Sequence, residues 1–539
     1  MTAGEVSNTK RSRNPLAMLR PSASHSASSA AILLMLSALL SGVLGLVRIK
    51  VINALWGAGP EQDAYRAAFK LPDLLSYFLI GGAASISLIT VLNRYREAGD
   101  EEGGDRALSV ILTTMLVVLG SGVLLAEIFA PQFIFLAYKG FRTDPLRASY
   151  CITMTRIILP AQIFFFIGSV MAARLQVRKI FIYQAFAPLI YNAGIILGAL
   201  VAKYVTSHSQ AAQPFAIRAL PLGVLAGMFV GYGLLNTIGA LRTGLHYRPI
   251  IGFRDPAFLE WLKLSLPLMI GVSLVMFDGI FLNYFGSLHE GGITLLGNAK
   301  DLFNAPFNVI GPAAGAASLP FFASIFQQNR MQDFSSAVTR AVSRLFSVGM
   351  LVSAWMIALA PWLMDLFRGG HFRRADAAGT TQLFVILAGT LAIWSVQGIY
   401  ARAFYAASDT KTPAITGTII TVLSAPIYAV LFRLFDLKGL ALASDIGIFC
   451  QTATLAVLLH RRKLVNLVDL EWTEFARTLL ASVFAGAATW GVSHALRLSQ
   501  SHFADVVTIA IGSLAWAVIA FVTLRLTGSR LITQLTSRF

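Results

Sequence analysis

Stretches of about twenty apolar residues, nearly free of charge, follow one another along almost the whole chain, and this repetition restricts the fold to one class. A stretch of that length crosses a bilayer as a helix. Only helices and closed barrels satisfy every backbone donor and acceptor in lipid. Runs this long, without two-residue alternation, select helices. They predict fourteen transmembrane helices, over about 29–54, 62–93, 107–130, 151–173, 181–204, 219–241, 258–286, 293–325, 336–361, 380–405, 413–434, 437–461, 475–496 and 504–526. The expected fold is therefore all-α and polytopic. Of the 539 residues 56% are hydrophobic and only 13% charged, about half the charged share of a soluble domain.

The polar, Ser-rich residues 1–28 carry Lys10, Arg11, Arg13 and Arg20 and read as a disordered cytoplasmic tail. The apolar run after them is too long for a signal-peptide core and lacks an A-x-A cleavage site, so it reads as an uncleaved first helix. The net charge of +17 does not point to nucleic acid, because the aromatic residues sit in apolar runs and not on a basic face. Lys and Arg alternate between the connecting segments. The N-terminal tail, Arg94/Arg96/Arg106, Arg174/Arg178/Lys179 and Arg461/Arg462/Lys463 fall on the richer side, which places both termini in the cytoplasm. The basic excess also suits anionic membrane lipids. Cys151 and Cys450 lie in apolar segments without metal or redox spacing and read as small core residues. No connection is long enough to be a separate soluble domain.

One segment departs from the apolar rule. In Asp63–Ser85 the residues Asp63, Arg66, Lys70, Asp73 and Tyr77 recur at spacings of three or four, which is one polar stripe on a helix. Pro72 and the Gly81-Gly82 pair should bend or break that helix. Ions at membrane depth are costly and face a bundle interior or a water-filled cavity; an amphipathic helix lying in the interface is the alternative. The apolar continuation through Ile86, Leu88, Ile89, Val91 and Leu92 favours a spanning helix whose first half lines an aqueous cavity.

The pattern recurs. Phe69-x-x-Pro72 followed by Gly82-Ala83-Ala84-Ser85 returns as Phe303-x-x-Pro306 followed by Gly315-Ala316-Ala317-Ser318, six helices later. An even offset preserves orientation, so the expected organisation is two parallel six-helix lobes, 29–241 and 258–461, related by a pseudo-twofold axis along the membrane normal. Helices over 475–526 and a cytoplasmic tail over 527–539 follow the repeat. The eighth helix also resembles the second in chemistry, with Asn298, Lys300, Asp301 and Asn304 ahead of Pro306 and a break expected at Gly311-Pro312. A helix-end pair that reaches to the interface is the simpler account of Lys300 and Asp301. Arg48 lies late in the first helix and could pair with Asp63. Glu127 and Asp365 sit near helix ends, whereas Asp278 and Asp445 are deeper, as cation or proton sites or simply as paired groups.

Catalysis finds little support. No G-x-S-x-G, H-E-x-x-H, P-loop or C-x-x-C pattern occurs, and the eight histidines are scattered. Asp100-Glu101-Glu102 reads as a solvated charge run. Neither an enzyme nor a resident metal is expected.

Several motifs resemble the MurJ (MviN) family, proposed lipid II flippases of the multidrug/oligosaccharidyl-lipid/polysaccharide exporter superfamily. They are Val43-Leu44-Gly45-x-x-Arg48, Trp56-Gly57-Ala58-Gly59 with Asp63-Ala64 and Ala68-Phe69-Lys70-Leu71-Pro72, Ala185-Phe186-Ala187-Pro188 with Asn192, and Phe404-Tyr405 through Asp409-Thr410-Lys411-Thr412-Pro413. The resemblance implies a fourteen-helix fold in the bacterial inner membrane. It also implies translocation of an undecaprenyl-pyrophosphate-linked peptidoglycan precursor by alternating access, without a cofactor, with cell-wall synthesis proteins as further partners. Gly42, Ser76, Tyr77 and Gly81 stand where the family usually carries three arginines and an acid, and Lys300, Asp301 and Asn304 where it carries an acid–arginine pair and a glutamate.

On this reading Arg48, Arg66, Lys70 and Lys300 would bind the anionic pyrophosphate. Asp63, Asp73 and Asp301 would act as ion-pairing or switching groups, and Arg402, Asp409 and Lys411 as gate or loop anchors. The lipid-linked oligosaccharide and the surrounding membrane lipids are the expected partners. The energy source stays open between membrane potential and a coupling Na⁺ or H⁺. The glycan also stays open: another polyprenyl-linked glycan or a non-transporting paralogue are the other readings. A cation exporter would want an acidic cavity, which the positive inventory opposes.

Overall fold

A computed structural model of the chain describes residues 27–79, 81–208, 213–269, 274–496 and 501–532. The expected N-terminal tail, all but its last two residues, and residues 533–539 lie outside the described residues. Helix dominates those that are described, with one isolated bridge between Gly369 and Phe372. All fourteen apolar stretches are helical over their described residues, apart from short breaks. Among the described residues nine helices are long and apolar enough to span a bilayer, or ten with the pair Arg374–Ala388 and Leu391–Ala406, bent by 43°. One of the nine, Lys411–Arg461, covers two of the stretches. Its run is interrupted at Asp436 (φ 55°, ψ −138°), a sparsely populated conformation for a residue with a side chain.

Proline chemistry explains where the second stretch breaks. Its described residues form the helices Pro60–Ala68, Lys70–Leu79 and Gly81–Glu97; Phe69 separates the first two, and residue 80, between the last two, lies outside the described residues. Pro72 cannot donate to the carbonyl four residues back and its ring crowds that carbonyl, and the helix parts at Phe69, one residue beyond it. The Tyr138 hydroxyl donates to the Ala67 carbonyl at 2.8 Å, beside the break. At Gly311-Pro312 the expected break is absent, and one helix runs from Gly292 to Gln327. A membrane helix carries an internal proline where its surroundings satisfy the freed backbone.

By contact the chain resolves into two compact units. The first takes Met1–Arg48, Leu71–Ile128 and Thr155–Ile270; the second takes Ile49–Lys70, Phe129–Met154 and Gly271–Phe539. Lipid is as apolar as leucine, so helices within each unit associate through close packing and buried polar contacts. The first unit places a buried cluster around Leu88, Ile111, Phe166 and Trp261. It also holds a glycine seam between the helices Ile182–His208 and Gln213–Gly227. A Cβ on Gly223 would stand 2.6 Å from the Gly194 carbonyl oxygen, and one on Gly194 2.7 Å from the Gly227 Cα. In the second unit Phe322, Phe334, Tyr400 and Phe404 pack together. The helices Trp472–Ala495 and His502–Leu526 lie against Met331–Asp365, with Trp355 Nε1 donating to Ser513 Oγ at 2.9 Å.

Candidate functional site

The second unit gathers most of the charged residues that the sequence singles out. Pro60 opens its short helix at the first turn, where a missing N–H costs nothing. That helix buries Asp63 completely. The Asp63 carboxylate accepts from Gly291 N at 2.7 Å, Thr294 N at 2.9 Å and Thr294 Oγ1 at 2.7 Å. Gly291, at φ +78°, precedes the helix Gly292–Gln327 and has no side chain with which to cap it. Asp63 performs that capping from 228 residues away, placing its negative charge at the positive end of the helix dipole.

Its ionic partner is Arg147, at 3.6 Å. That guanidinium is held in turn by Asp144 at 2.6 Å and by the carbonyls of Ser287 at 3.2 Å and His289 at 3.3 Å. The loop that supplies those carbonyls is tied again, since His289 Nε2 lies 2.7 Å from Asp436 Oδ1. Arg48 therefore does not serve Asp63. It belongs to the first unit, where Nη1 donates to Asn192 Oδ1 at 3.0 Å.

Arg66 and Lys300 draw the eighth stretch into two separate networks. Arg66 Nη1 meets Asp301 Oδ2 at 3.0 Å and Nη2 donates to Asn298 Oδ1. Asn298 continues to Asn53, which also accepts from Gln62. Among the described residues the buried Arg66 Nε has no hydrogen-bond partner. Lys300 turns the other way: its ammonium bonds Asp278 and lies 5.1 Å from the centre of the Trp394 ring. Asp278 accepts a second bond from the Tyr428 hydroxyl. Lys300 and Asp301 thus belong to opposite networks and do not form the helix-end pair that was the simpler expectation. Lys70 places its ammonium beside Gly279, where an added Cβ would lie 3.4 Å away. Asp73 is exposed and belongs to the first unit.

The family model described as "Lipid II flippase MurJ" matches residues 52–510. The chain belongs to the MurJ family. A "Probable lipid II flippase MurJ" of Vibrio cholerae is 26% identical over 468 residues, covering 84% of this chain and 86% of the relative. A "Lipid II flippase MurJ" of Burkholderia cenocepacia is 28% identical over 477 residues, covering 84% and 87%. Among solved structures, "Lipid II flippase MurJ, inward closed conformation" superposes with a TM-score of 0.72 at 20% identity, covering 92% of this chain and 99% of that one. An inward-facing MATE-family multidrug transporter of the MOP superfamily superposes at 0.64 with 13% identity, covering 78% and 94%. These two likenesses concern the fold.

Within this MurJ-family chain the remaining motif residues separate by role. Asp409 accepts from Thr412 N at 2.9 Å and Thr412 Oγ1 at 2.6 Å and pairs with Arg462, so it caps the helix that begins at Lys411. Partial burial pushes its carboxyl up, but the Thr412 donors and the Arg462 charge outweigh that and hold it below the usual carboxylate range. Arg402 lies against Gly398, and Lys411 is exposed. Ser76, at a position where the family usually has arginine, donates to Gln162. Gly42 is exposed, with open space where a Cβ would stand.

Sequence reasoning missed Arg147, Thr294, Tyr428 and Trp394. The Asp144-Pro145-Leu146-Arg147 spacing, a capping acid three residues ahead of an arginine, was the signal available for Arg147.

Proposed function

We propose that this protein is a lipid II flippase, carrying an undecaprenyl-pyrophosphate-linked peptidoglycan precursor from the cytoplasmic to the outer leaflet of the bacterial inner membrane by alternating access. The observation that carries the reading is the family match across residues 52–510. The Arg66 site supports it. Its pair with Asp301 is partly open, at 18% and 36% side-chain exposure, and its buried Nε has no hydrogen-bond partner among the described residues. A pyrophosphate displacing Asp301 would gain a planar, charge-assisted fork in a low-dielectric setting. Lys70 and Lys300 are proposed as further phosphate contacts in the same unit, and Arg48 as a separate one in the first unit. Arg48, Arg66 and Lys300 each already hold a protein group, so substrate would bind by exchange. The distribution of Lys and Arg supports both termini lying in the cytoplasm.

Depletion complementation tests the reading. The parent and the variants Arg66→Ala, Lys70→Ala and Arg48→Ala are expressed, at matched membrane levels, in a strain whose own lipid II flippase can be shut off. Rescue by the parent with loss in Arg66→Ala and Lys70→Ala is expected. A well-expressed parent that fails to rescue rejects lipid II as the substrate. Full rescue by all three variants rejects the cation assignment and leaves the activity intact.

A further inference from the structure

The connection 287–291, between the helices Leu274–Gly286 and Gly292–Gln327, is where the Asp63 clasp is assembled. The Ser287 hydroxyl accepts from Gly140 N at 2.9 Å, and the Ser287 and His289 carbonyls take the Arg147 guanidinium. Gly291 N donates to Asp63, and a Cβ on Gly291 would stand 2.5 Å from the Ala58 carbonyl oxygen. The His289 side chain reaches to a different partner, the run Lys411–Arg461. Two contacts, four residues apart on each side, join them. Phe285 meets Phe432 with ring centres 5.6 Å apart, and His289 Nε2 meets Asp436 Oδ1 at 2.7 Å. The His289 ring also rests edge-on against Phe432, at 5.7 Å. A carboxylate only accepts, so the ring nitrogen facing it carries the hydrogen. All these groups belong to the second compact unit.

Asp436 makes its contact from a backbone that suits glycine. At φ 55°, ψ −138° a residue with a Cβ is strained. The chain reverses tightly here, since a Cβ on Gly439 would collide with the Leu431 carbonyl oxygen. Glycine at 436 would make the same reversal without that strain. The His289–Asp436 pair is about half exposed, and such pairs contribute little to stability. Stability therefore does not explain an acid at 436, whereas the reach of its carboxylate to His289 does. We propose that Asp436 is a positioning residue for the clasp. Through the His289 imidazole it holds the connection 287–291 where that connection can serve Arg147 with two carbonyls and Asp63 with an amide. The consequence for transport rests on the flippase reading above: a clasp tied from Lys411–Arg461 opens less often.

Hydrogen–deuterium exchange of the purified full-length protein in lipid, without substrate, tests it. The amides of Gly291 and Thr294 lie at a helix start, where no helical acceptor serves them, and donate to Asp63. Their exchange therefore reads the clasp. Asp436→Gly and Asp436→Ala should both speed it about fivefold, the factor that an exposed pair can supply. Melting temperature should separate the two variants: glycine removes the strain and does not lower it, whereas alanine keeps the strain and lowers it. His289→Ala should speed the same amides, and adding Asp436→Gly to it should speed them no further, because the two side chains act as one unit. Three results overturn the proposal. They are unchanged exchange in both Asp436 variants, exchange that is fast in the alanine variant but unchanged in the glycine variant, which makes 436 a turn residue only, and additive effects of His289→Ala and Asp436→Gly. Because no flipping is measured, failure here leaves the flippase reading standing, and a parent that fails to rescue the depletion strain leaves this positioning role standing.

Discussion

The glycine seam of the first unit and the Asp63 clasp of the second join distant or neighbouring segments by opposite physics. In the seam, Gly194, Gly223 and Gly227 let two backbones meet without an intervening side chain. Its attraction is short-range dispersion, lost steeply with any separation. In the clasp, a buried carboxylate bridges a helix start, an arginine and a loop. Its members are polar groups that water or an anion can also satisfy. A seam of the first kind has one good arrangement, whereas a clasp of the second kind can exchange partners. Moving parts of a transporter need contacts of the second kind.

Substitutions separate the two. Asp63→Ala removes the acceptor of three hydrogen bonds and leaves Arg147 buried with only Asp144 as a counter-ion among the described residues, and breaking a buried pair costs about 3–5 kcal/mol. A fall in melting temperature of the purified protein should report it. Asp63→Asn should recover part of the loss, since an amide oxygen still accepts. An unchanged melting temperature in Asp63→Ala would reduce the clasp to a surface contact.

Gly223→Val should come next, at about 1–3 kcal/mol for overpacking, because its Cβ meets the Gly194 backbone. It should lower the melting temperature equally at pH 7 and pH 5, as no ion takes part. Tyr138→Phe removes the hydroxyl that serves Ala67 and should cost about 1 kcal/mol.

Gly42→Ala provides the contrast for the seam. With no neighbour near its Cβ, alanine should stabilise the helix by about 0.5–1 kcal/mol, where the same change at Gly223 destabilises. Asp409→Asn gives the contrast for pH. The folded carboxyl is held below its ordinary range, so its stabilisation is full above the unfolded value of about 3.9. That stabilisation is lost as pH falls through the folded value. The melting difference between parent and Asp409→Asn should therefore be present at pH 7 and shrink only in strong acid.

Much of the architecture was legible because lipid leaves few options. All fourteen apolar stretches are helical over their described residues apart from short breaks, and the helix parts at Phe69, next to the Ala68 carbonyl that Pro72 cannot serve. The stripe of Asp63, Arg66 and Lys70 was visible from spacing alone. Its partners were not. Asp63 is completed by residues 228 and 231 positions away and Arg66 by one 235 away. Helical periodicity states which face a residue occupies but not which distant segment meets that face. Arg147 was passed over because loop arginines encode orientation far more often than they close a buried carboxylate. Gly311-Pro312 was over-read because a proline in a membrane helix need not interrupt it.

One feature of the seam constrains insertions and deletions more than substitutions. Met228–Leu234 forms a π-helical segment with turns wider than those of an α-helix. Glycines four apart drift around an ordinary helix, since a turn holds only 3.6 residues. Yet Gly223, Gly227 and Gly231 meet Gly194, Tyr191 and Ala187 in succession along the same partner helix. The wide turn begins after Gly227 and carries the line of contact on to Gly231. Deleting one residue from 228–234 would restore an ordinary helix and rotate everything after it, so this short span should accept changes of side chain far more readily than changes of length.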